Sequence, residues 1–313
     1  MAANYWDSSQ SRYWTFTPAS LATLRAELAQ RHAPAYAKYP LPDPRLLNIY
    51  IQQQTIKLGK RINLRQQALA TAQIYLRRFW TRVEFRKTNP YLLITTALYL
   101  ASKMEETPQH IRLVLGEAQR QWPSEFSVSE TSKIGECEFA LISTLQSRLI
   151  LHHPYRALGE LQTSMGISGE EASLAHNIIN DSYNTDLPLL HPPHLIAITA
   201  IFLAVVLRPA QPPGLHAHST ASANSYSPAA GGPTMGGSAA RDVMASFGFA
   251  AQGGGRAGAA KLNKLVEWLA ESEVDMDALV NATQEMVSLY EVWEGYSERV
   301  CREAVQKLVR DNK

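Results

Sequence analysis

Cysteine is scarce in this sequence, which contains only Cys137 and Cys301. Two cysteines cannot form a disulfide framework or a zinc site made of four thiolates. Such sparse use is typical of a reducing compartment, the cytosol or the nucleus. The start of the sequence also lacks a basic cluster followed by an apolar stretch, so no secretory signal is predicted.

Charge of either sign is also limited. Charged residues make up 19% of the sequence, and 30 basic against 28 acidic residues give a formal net charge of +2. A protein that coats nucleic acid would show a basic excess, so no direct nucleic-acid binding is predicted. The longest mostly apolar run, Leu195–Leu207, is shorter than the roughly 20 residues that span a bilayer. It predicts a buried helix and no membrane contact.

Motifs that carry catalysis are missing as well. No glycine-rich loop precedes a Lys-Ser/Thr pair, and no serine nucleophile elbow is present. Cys137 lies in an apolar helical pattern, which disfavours a reactive thiol. The nine histidines show no spacing that would place metal ligands on one helix face. We therefore expect no metal and no cofactor.

What the sequence does contain is helical periodicity, because apolar residues recur at spacings of three and four. We expect an all-α protein. Prolines and cap-forming residues interrupt the pattern at Asn63, Asn89-Pro90, Pro108 and Pro123. Helices are predicted over 17–30, 45–61, 65–81, 90–104, 109–122, 129–147, 154–165, 170–185, 192–207, 261–271, 275–295 and 296–310.

One segment, 209–260, is dominated by Ala, Gly, Ser and Pro. It has too few apolar residues to offset the entropy of ordering it, so a flexible insertion is predicted. The predicted organisation is an N-terminal arm and helix (1–44), a first domain (45–152), a second domain (153–295) that contains the insertion, and a C-terminal helix (296–313).

An internal repeat relates 90–104 to 193–207. Each segment begins with proline, is apolar on nearly all sides, and so predicts a helix surrounded by others. Each half is therefore predicted to be a five-helix bundle built around its third helix. Six pairs of residues are identical: Pro90/Pro193, Leu92/Leu195, Thr96/Thr199, Ala97/Ala200, Leu100/Leu203 and Ala101/Ala204.

The two copies differ at one charged position, since Lys103 corresponds to Val206. The first copy ends in a charged stretch, Ser102–Glu106. Lys103, Glu105 and Glu106 are then either a solvated helix end or a contact for a partner. A lysine at the end of a buried helix can lay its apolar stem on the core and present its ammonium to another protein.

Five-helix repeats of this kind, with Ser102–Glu106 closing the third helix, resemble the cyclins. The resemblance is most specific to the fungal C-type cyclins, the cyclin-like subunit of the Mediator kinase module of RNA polymerase II. It covers about 1–208 and 261–311, and the insertion lies outside it. The stretches that carry it are MAANYW at 1–6, LRQQ at 64–67 with YLRRF at 75–79, ECEF at 136–139 with HPYR at 153–156, and NDSY at 180–183 with TDL at 185–187.

The resemblance implies a regulatory subunit that binds and activates a Mediator-associated cyclin-dependent kinase in the nucleus. Such a subunit stabilises the kinase conformation in which the catalytic glutamate pairs with the ATP-site lysine. Carried onto this sequence, the kinase interface comprises Lys103, Glu138 and Glu106. Glu138 lies in an otherwise apolar run, so a partner is expected for it, although an ordinary surface position remains the alternative.

The resemblance also implies a groove for the module's other subunits, with Trp6, Glu105, Asn180, Asp181 and Tyr290 as candidate residues. Asn180 and Asp181 could instead bridge the crossing between repeats, and Trp6 could pin the N-terminal arm to its own domain. Many cell-cycle cyclins pair an arginine with an aspartate where this sequence has Asn48 and Arg77, so that salt bridge is absent here.

The N-terminal helix leaves two interpretations open. Leu21, Leu24 and Leu28 form an apolar stripe that packs on the first repeat or selects one kinase.

An alternative function for the whole chain is a two-repeat scaffold that binds promoter DNA or proteins without activating a kinase. That interpretation expects a zinc ribbon and a basic second repeat, and neither pattern is found.

Overall fold

The computed structural model describes residues 4–123, 126, 128–207 and 256–311, and within these ranges the chain is helical without a β-strand. The all-α prediction is confirmed. The fifteen α-helices of the described residues are α1 Ser9–Trp14, α2 Pro18–Arg31, α3 Ala33–Lys38, α4 Pro44–Arg61, α5 Gln66–Trp80, α6 Pro90–Met104, α7 Ile111–Gln121, α8 Thr131–Thr144, α9 Pro154–Met165, α10 Gly169–Ser182, α11 Leu187–Leu190, α12 Pro193–Leu207, α13 Arg256–Glu271, α14 Met276–Glu294 and α15 Glu298–Asp311. A 3-10 turn, Phe85–Lys87, precedes α6.

The helices form two compact units. The first contains the chain up to His153 together with Ser182–Pro193 and the residues from Glu291 onward. The second contains Pro154–Asp181 and the described part of His194–Tyr290. These units are defined by packing, whereas the predicted domains, 45–152 and 153–295, were defined by the sequence repeat. The two divisions describe different things, so the predicted domain limits stay a prediction.

The first unit is built around α6. Asn89 caps this helix by accepting bonds from the amides of Tyr91 and Leu92, and Pro90 fits the first turn. Helices α4, α5, α7 and α8 all pack against it. Ala97 and Ala101 are fully buried, and their small side chains let the neighbouring helices approach closely. The predicted five-helix bundle with a central third helix is thus confirmed for this half.

The crossover segment, Ser182–Pro193, is fastened to the first unit by arginine. Asp186 binds Arg77 at 2.6 Å and both terminal nitrogens of Arg25 at 2.7 Å. Arg77 also donates to the carbonyl of Asn184 at 2.6 Å, and the Asn48 amide donates to the same carbonyl. Asn48 and Arg77, which lack the salt bridge of cell-cycle cyclins, are therefore used together to hold the crossover.

The first and last described helices also belong to the first unit. Leu21 and Leu28 of α2 are buried and Leu24 is half-buried, so most of the leucine stripe is covered by the protein itself, and its part in selecting a kinase stays a prediction. At the other end, α15 packs on α4. Glu298 of α15 accepts bonds from Lys57 at 2.7 Å and from Gln54 at 3.1 Å.

The second unit contains the five predicted helices of the second repeat as α9, α10, α12, α13 and α14, and α9 packs against α13. The apolar character of α12 reflects deep burial, with Ala197, Ile201 and Ala204 at or near zero exposure. The Tyr155 hydroxyl of α9 donates to Asn180 of α10 at 2.8 Å, which ties two of the helices together.

Several predicted boundaries differ from the structure. Short helices α1, α3 and α11 were not predicted, because helices of four to six residues lack a readable period. Helix α8 ends at Thr144, three residues early, since Gln146 and Ser147 adopt left-handed backbone angles. Helix α13 begins at Arg256, inside the predicted insertion, where alanine favours helix. The rest of that insertion lies outside the described residues.

Among the described helices, none is both long enough and apolar enough to cross a membrane.

A tight approach between α4 and α5 gives a test of the packing. A Cβ atom at Gly59 would lie 2.1 Å from Cδ2 of the buried Leu69, whereas a Cβ at Gly116 of α7 meets nothing within 4 Å. Both Gly→Ala changes gain similar helix propensity, but only Gly59→Ala overpacks the core. We expect Gly59→Ala to be less stable than Gly116→Ala by about 1–3 kcal/mol in chemical denaturation. Equal stability of the two variants would contradict this packing.

Candidate functional site

The carboxyl end of α6 presents a charged pair. Lys103 lies in the last turn of α6, where a cation interacts favourably with the helix dipole. Its ammonium lies 2.5 Å from Oε1 of Glu138 on α8 and 4.4 Å from the centre of the Tyr99 ring. The side chains of Lys103 and Glu138 are 38% and 16% exposed. The two residues singled out by sequence are therefore brought together at the surface.

This pairing refines the sequence interpretation of Lys103. The ammonium was expected to be free for a partner, yet it is already joined to Glu138. The contact is an ion pair without hydrogen-bond geometry, and Oε1 of Glu138 has no hydrogen-bond partner among the described residues, so hydrogen-bonding capacity remains at the pair for a partner. Lys103 stays accessible, since its side chain is 38% exposed.

Phe139, which sequence reasoning did not single out, directly follows Glu138 in α8. It is 77% exposed, the most exposed large apolar side chain among the described residues. The sequence pattern alone does not reveal it, because only the burial of Ile134 and Leu141 in the structure defines the inward stripe of α8, and Phe139 lies off that stripe. Met104 at the end of α6 is also exposed. A charged pair beside an exposed aromatic ring is typical of a protein interface.

Glu106 takes a different position from the other two predicted interface residues. It lies beyond the end of α6, is exposed, and adopts a left-handed backbone with φ of 52°. Its amide bonds the carbonyl of Lys103 and so ends the helix. The structure does not bring Glu106 into the Lys103–Glu138 pair, and its role stays a prediction.

Glu105 is not a solvated helix end, and that alternative is wrong for this residue. Its carboxylate accepts bonds from Thr71 at 2.5 Å and from Gln67 at 2.7 Å, both on α5. Thr71 in turn lies 2.8 Å from Nε2 of His153, whose Nδ1 lies 3.0 Å from the Tyr183 hydroxyl. A polar network of the first unit thus runs from Tyr183 of the crossover segment through His153 and Thr71 to Glu105.

The other candidate groove residues are divided between the units. Trp6, in the first unit, is 60% exposed and its neighbour Tyr5 packs edge-on against it. In the second unit Asp181 and Tyr290 are buried, and the Tyr290 hydroxyl donates to Asp181 at 3.2 Å. Burial raises the pKa of Asp181 to about 7. The groove itself stays a prediction.

Comparison with known proteins decides the family. A model of the cyclin N-terminal domain matches residues 31–150. A protein of Aspergillus oryzae named "RNA polymerase II holoenzyme cyclin-like subunit" is 53% identical over 310 residues, which cover 99% of this chain and 98% of that protein. The chain belongs to the cyclin family. A protein of the same name from Neurospora crassa is 46% identical over 343 residues, with 99% and 98% covered, so the resemblance found in the sequence is confirmed.

Solved structures agree on the cyclin fold. A chain of the CAK complex from Chaetomium thermophilum bound to ATP-gamma-S superposes with a TM-score of 0.58 at 17% identity, covering 98% of this cyclin and 87% of that chain. A chain of the yeast TFIIK (Kin28/Ccl1/Tfb3) complex gives a TM-score of 0.53 at 21% identity, covering 64% and 85%.

The buried network predicts a specific pH dependence. Burial lowers the pKa of His153 to about 3. The unfolded chain, with a histidine pKa near 6.5, then binds the proton that the folded chain excludes, so stability contributed by His153 falls as pH drops from about 6.5 toward 3. The slope approaches about 1.4 kcal/mol per pH unit.

We expect His153→Gln to flatten this part of the pH profile of unfolding, because glutamine does not titrate. The measurement is the difference in unfolding free energy between wild type and variant at neutral pH and at pH 5. A difference that is the same at both pH values would show that His153 is not held neutral by the fold.

Proposed function

We propose that this cyclin is the regulatory, non-catalytic subunit of a cyclin-dependent kinase in the Mediator kinase module, and that it regulates RNA polymerase II transcription in the nucleus. The observation that carries the proposal is the Lys103–Glu138 pair at 2.5 Å, displayed with Phe139 on the first unit. Full-length relatives named as RNA polymerase II holoenzyme cyclin-like subunits supply the transcriptional context.

The proposed mechanism is a population shift of the kinase. The fixed ion pair can bond backbone carbonyls and amides at the end of a partner helix, while Phe139 offers apolar area to its side. A helix held in this way keeps the kinase's catalytic glutamate positioned to pair with the ATP-site lysine. Activation is limited by the difference in affinity for the active and inactive kinase conformations.

A second surface is part of the proposal. In the first unit, Trp6 would contact another subunit of the module, since exposed tryptophan is favoured as an interface anchor. The carboxylate of Glu105 is bonded to Thr71 and Gln67, so Glu105 would support the first unit and not contact that subunit directly. In the second unit, Asn180 is proposed separately as a contact residue. Asp181 and Tyr290 are almost fully buried and bonded to each other. Their proposed contribution is to hold the backbone next to Asn180 in place.

Charge reversal tests the kinase-binding pair. We expect Lys103→Glu and Glu138→Lys each to reduce kinase binding and activity at least about tenfold in a reconstituted complex. Each single variant places two charges of the same sign side by side at the contact, and these repel each other. The double variant restores an ion pair with reversed polarity. We expect it to remain weak, since the partner's groups are arranged for the original polarity.

The matched control lies on the same helix. Lys133 and Glu136 form an exposed pair at 2.9 Å, three residues apart on α8. Reversing these two charges should leave kinase binding within about twofold. If the Lys103→Glu variant binds the kinase as well as wild type does, the result favours a scaffold whose Lys103–Glu138 pair does not hold a kinase. Retention of the protein on promoter DNA at modest salt would favour the DNA-binding alternative.

Truncation of Phe139 tests the apolar part of the face. We expect Phe139→Ala to weaken kinase binding by about 2 kcal/mol, or roughly 30-fold, while the unfolding free energy of the free cyclin changes by less than about 0.5 kcal/mol. Val300→Ala removes another exposed apolar side chain, on α15, and should leave binding unchanged. Titration calorimetry with the purified kinase measures both. Unchanged affinity of Phe139→Ala would place the kinase elsewhere.

A further inference from the structure

A cluster of arginines surrounds α1 on the first unit. The Arg148 guanidinium lies 3.4 Å from the centre of the Tyr13 ring. The guanidinium groups of Arg78 and Arg82 lie 4.9 Å and 4.7 Å from the Trp14 ring. We call the accessible part of this cluster the arm face, and it consists of the exposed Tyr13 and Arg82, the half-buried Arg148, and Ile150, which is exposed and follows Arg148 by two residues in the chain.

The positive charge of the cluster has no acidic counterpart. Among the described residues, no carboxylate lies within ion-pair distance of Arg78, Arg82 or Arg148, although most other arginines of this unit are paired with acids. The only acidic residue of the segment 4–16 is Asp7, and it binds Arg12 at 3.3 Å. The arm face therefore carries net positive charge beside exposed apolar side chains.

The charge beneath the surface strengthens this field. Arg78 is fully buried, and its one hydrogen bond runs from Nη1 to the Arg148 carbonyl at 3.3 Å. Its Nε and Nη2 have no hydrogen-bond partner among the described residues. Burial lowers the pKa of Arg78 to about 9, which leaves it charged at neutral pH. An uncompensated charge in a low dielectric projects a positive potential to the adjacent surface.

We propose that the arm face binds an acidic peptide segment of a partner protein. Carboxylates or phosphates of the segment would bond Arg82 and Arg148, and its apolar side chains would contact Tyr13 and Ile150, which are 50% and 46% exposed. Contact with the rings holds the guanidinium groups in position before binding, which reduces the entropy lost on association. Tyrosine and arginine are also the residue types that dominate binding energy at interfaces.

A peptide suits this face better than nucleic acid does. The cluster combines charge with apolar area, and the protein as a whole carries a net charge of only +2, without the extended basic stripe that tracks a phosphate backbone. The arm face shares no residue with the proposed kinase contact of Lys103, Glu138 and Phe139. The inference therefore goes beyond the proposed function and can fail or succeed separately from it.

The test is fluorescence anisotropy of full-length cyclin with a short labelled peptide that alternates glutamate and leucine. We expect saturable binding that weakens as salt rises, because exposed charges are screened. The variant Arg82→Ala with Arg148→Ala should lose affinity by about tenfold or more. A peptide with lysine in place of glutamate should not bind. A third peptide, with phosphoserine in place of glutamate, shows whether phosphate or carboxylate is preferred.

The matched control removes two other arginines. Arg156 and Arg299 are exposed and each pairs with a glutamate four residues further along its helix. Their double alanine variant loses the same charge and should bind the acidic peptide as wild type does. Equal losses in both double variants, or wild-type binding by the Arg82/Arg148 variant, overturn the proposal. Circular dichroism and kinase binding of each variant confirm that the fold is intact.

Discussion

Burial of α6 is the constraint on which the first unit depends. A helix that is apolar on nearly every side cannot tolerate water on any of them, so four further helices must enclose it. Enclosure leaves Leu92 and Tyr99 half-buried, and only the carboxyl end of α6, at Lys103 and Met104, is exposed. That end carries Lys103, and the neighbouring helix α8 supplies Glu138. The position of the charged pair is thus a direct result of how the core is packed.

Around that core, the protein uses hydrogen bonds from arginine and glutamine to fix segments that have little apolar surface of their own. Arg77 and Arg25 hold the crossover through Asp186, and Gln54 and Lys57 hold α15 through Glu298. These contacts are geometrically specific and join segments far apart in the sequence. They order the periphery without adding to the core.

The long helices could be predicted from the sequence. Burial of one face of α4 and α5 requires apolar residues at helical spacing, and burial of α6 and α12 on nearly all sides requires a long apolar run that begins with proline. The short helices α1, α3 and α11 could not, since a single turn has no period to read. The pairing of Lys103 with Glu138 needed the packing of α6 on α8, which no local pattern reveals. Arg77 shows the same limit, as its partner Asp186 is 109 residues away.

The resemblance to cyclins identified candidate interface residues, but the structure supports some of these assignments better than others. Lys103 and Glu138 lie where a partner could reach them, whereas Glu105 is committed to Thr71 and Gln67. Phe139 went unnoticed because an apolar residue in an amphipathic helix is ordinarily assigned to the core. Only the burial of Ile134 and Leu141 distinguishes the inward stripe from the side that faces outward.

The first unit is discontinuous in sequence, since it includes Ser182–Pro193 and the residues from Glu291 onward as well as the amino-terminal half. During synthesis α4 therefore emerges from the ribosome long before α15, the helix that covers it. The five-helix bundle must wait for nearly the whole polypeptide with part of its apolar surface uncovered, a situation in which nascent chains depend on chaperones. Synthesis of α15, rather than of the first repeat, is therefore the event that completes this unit.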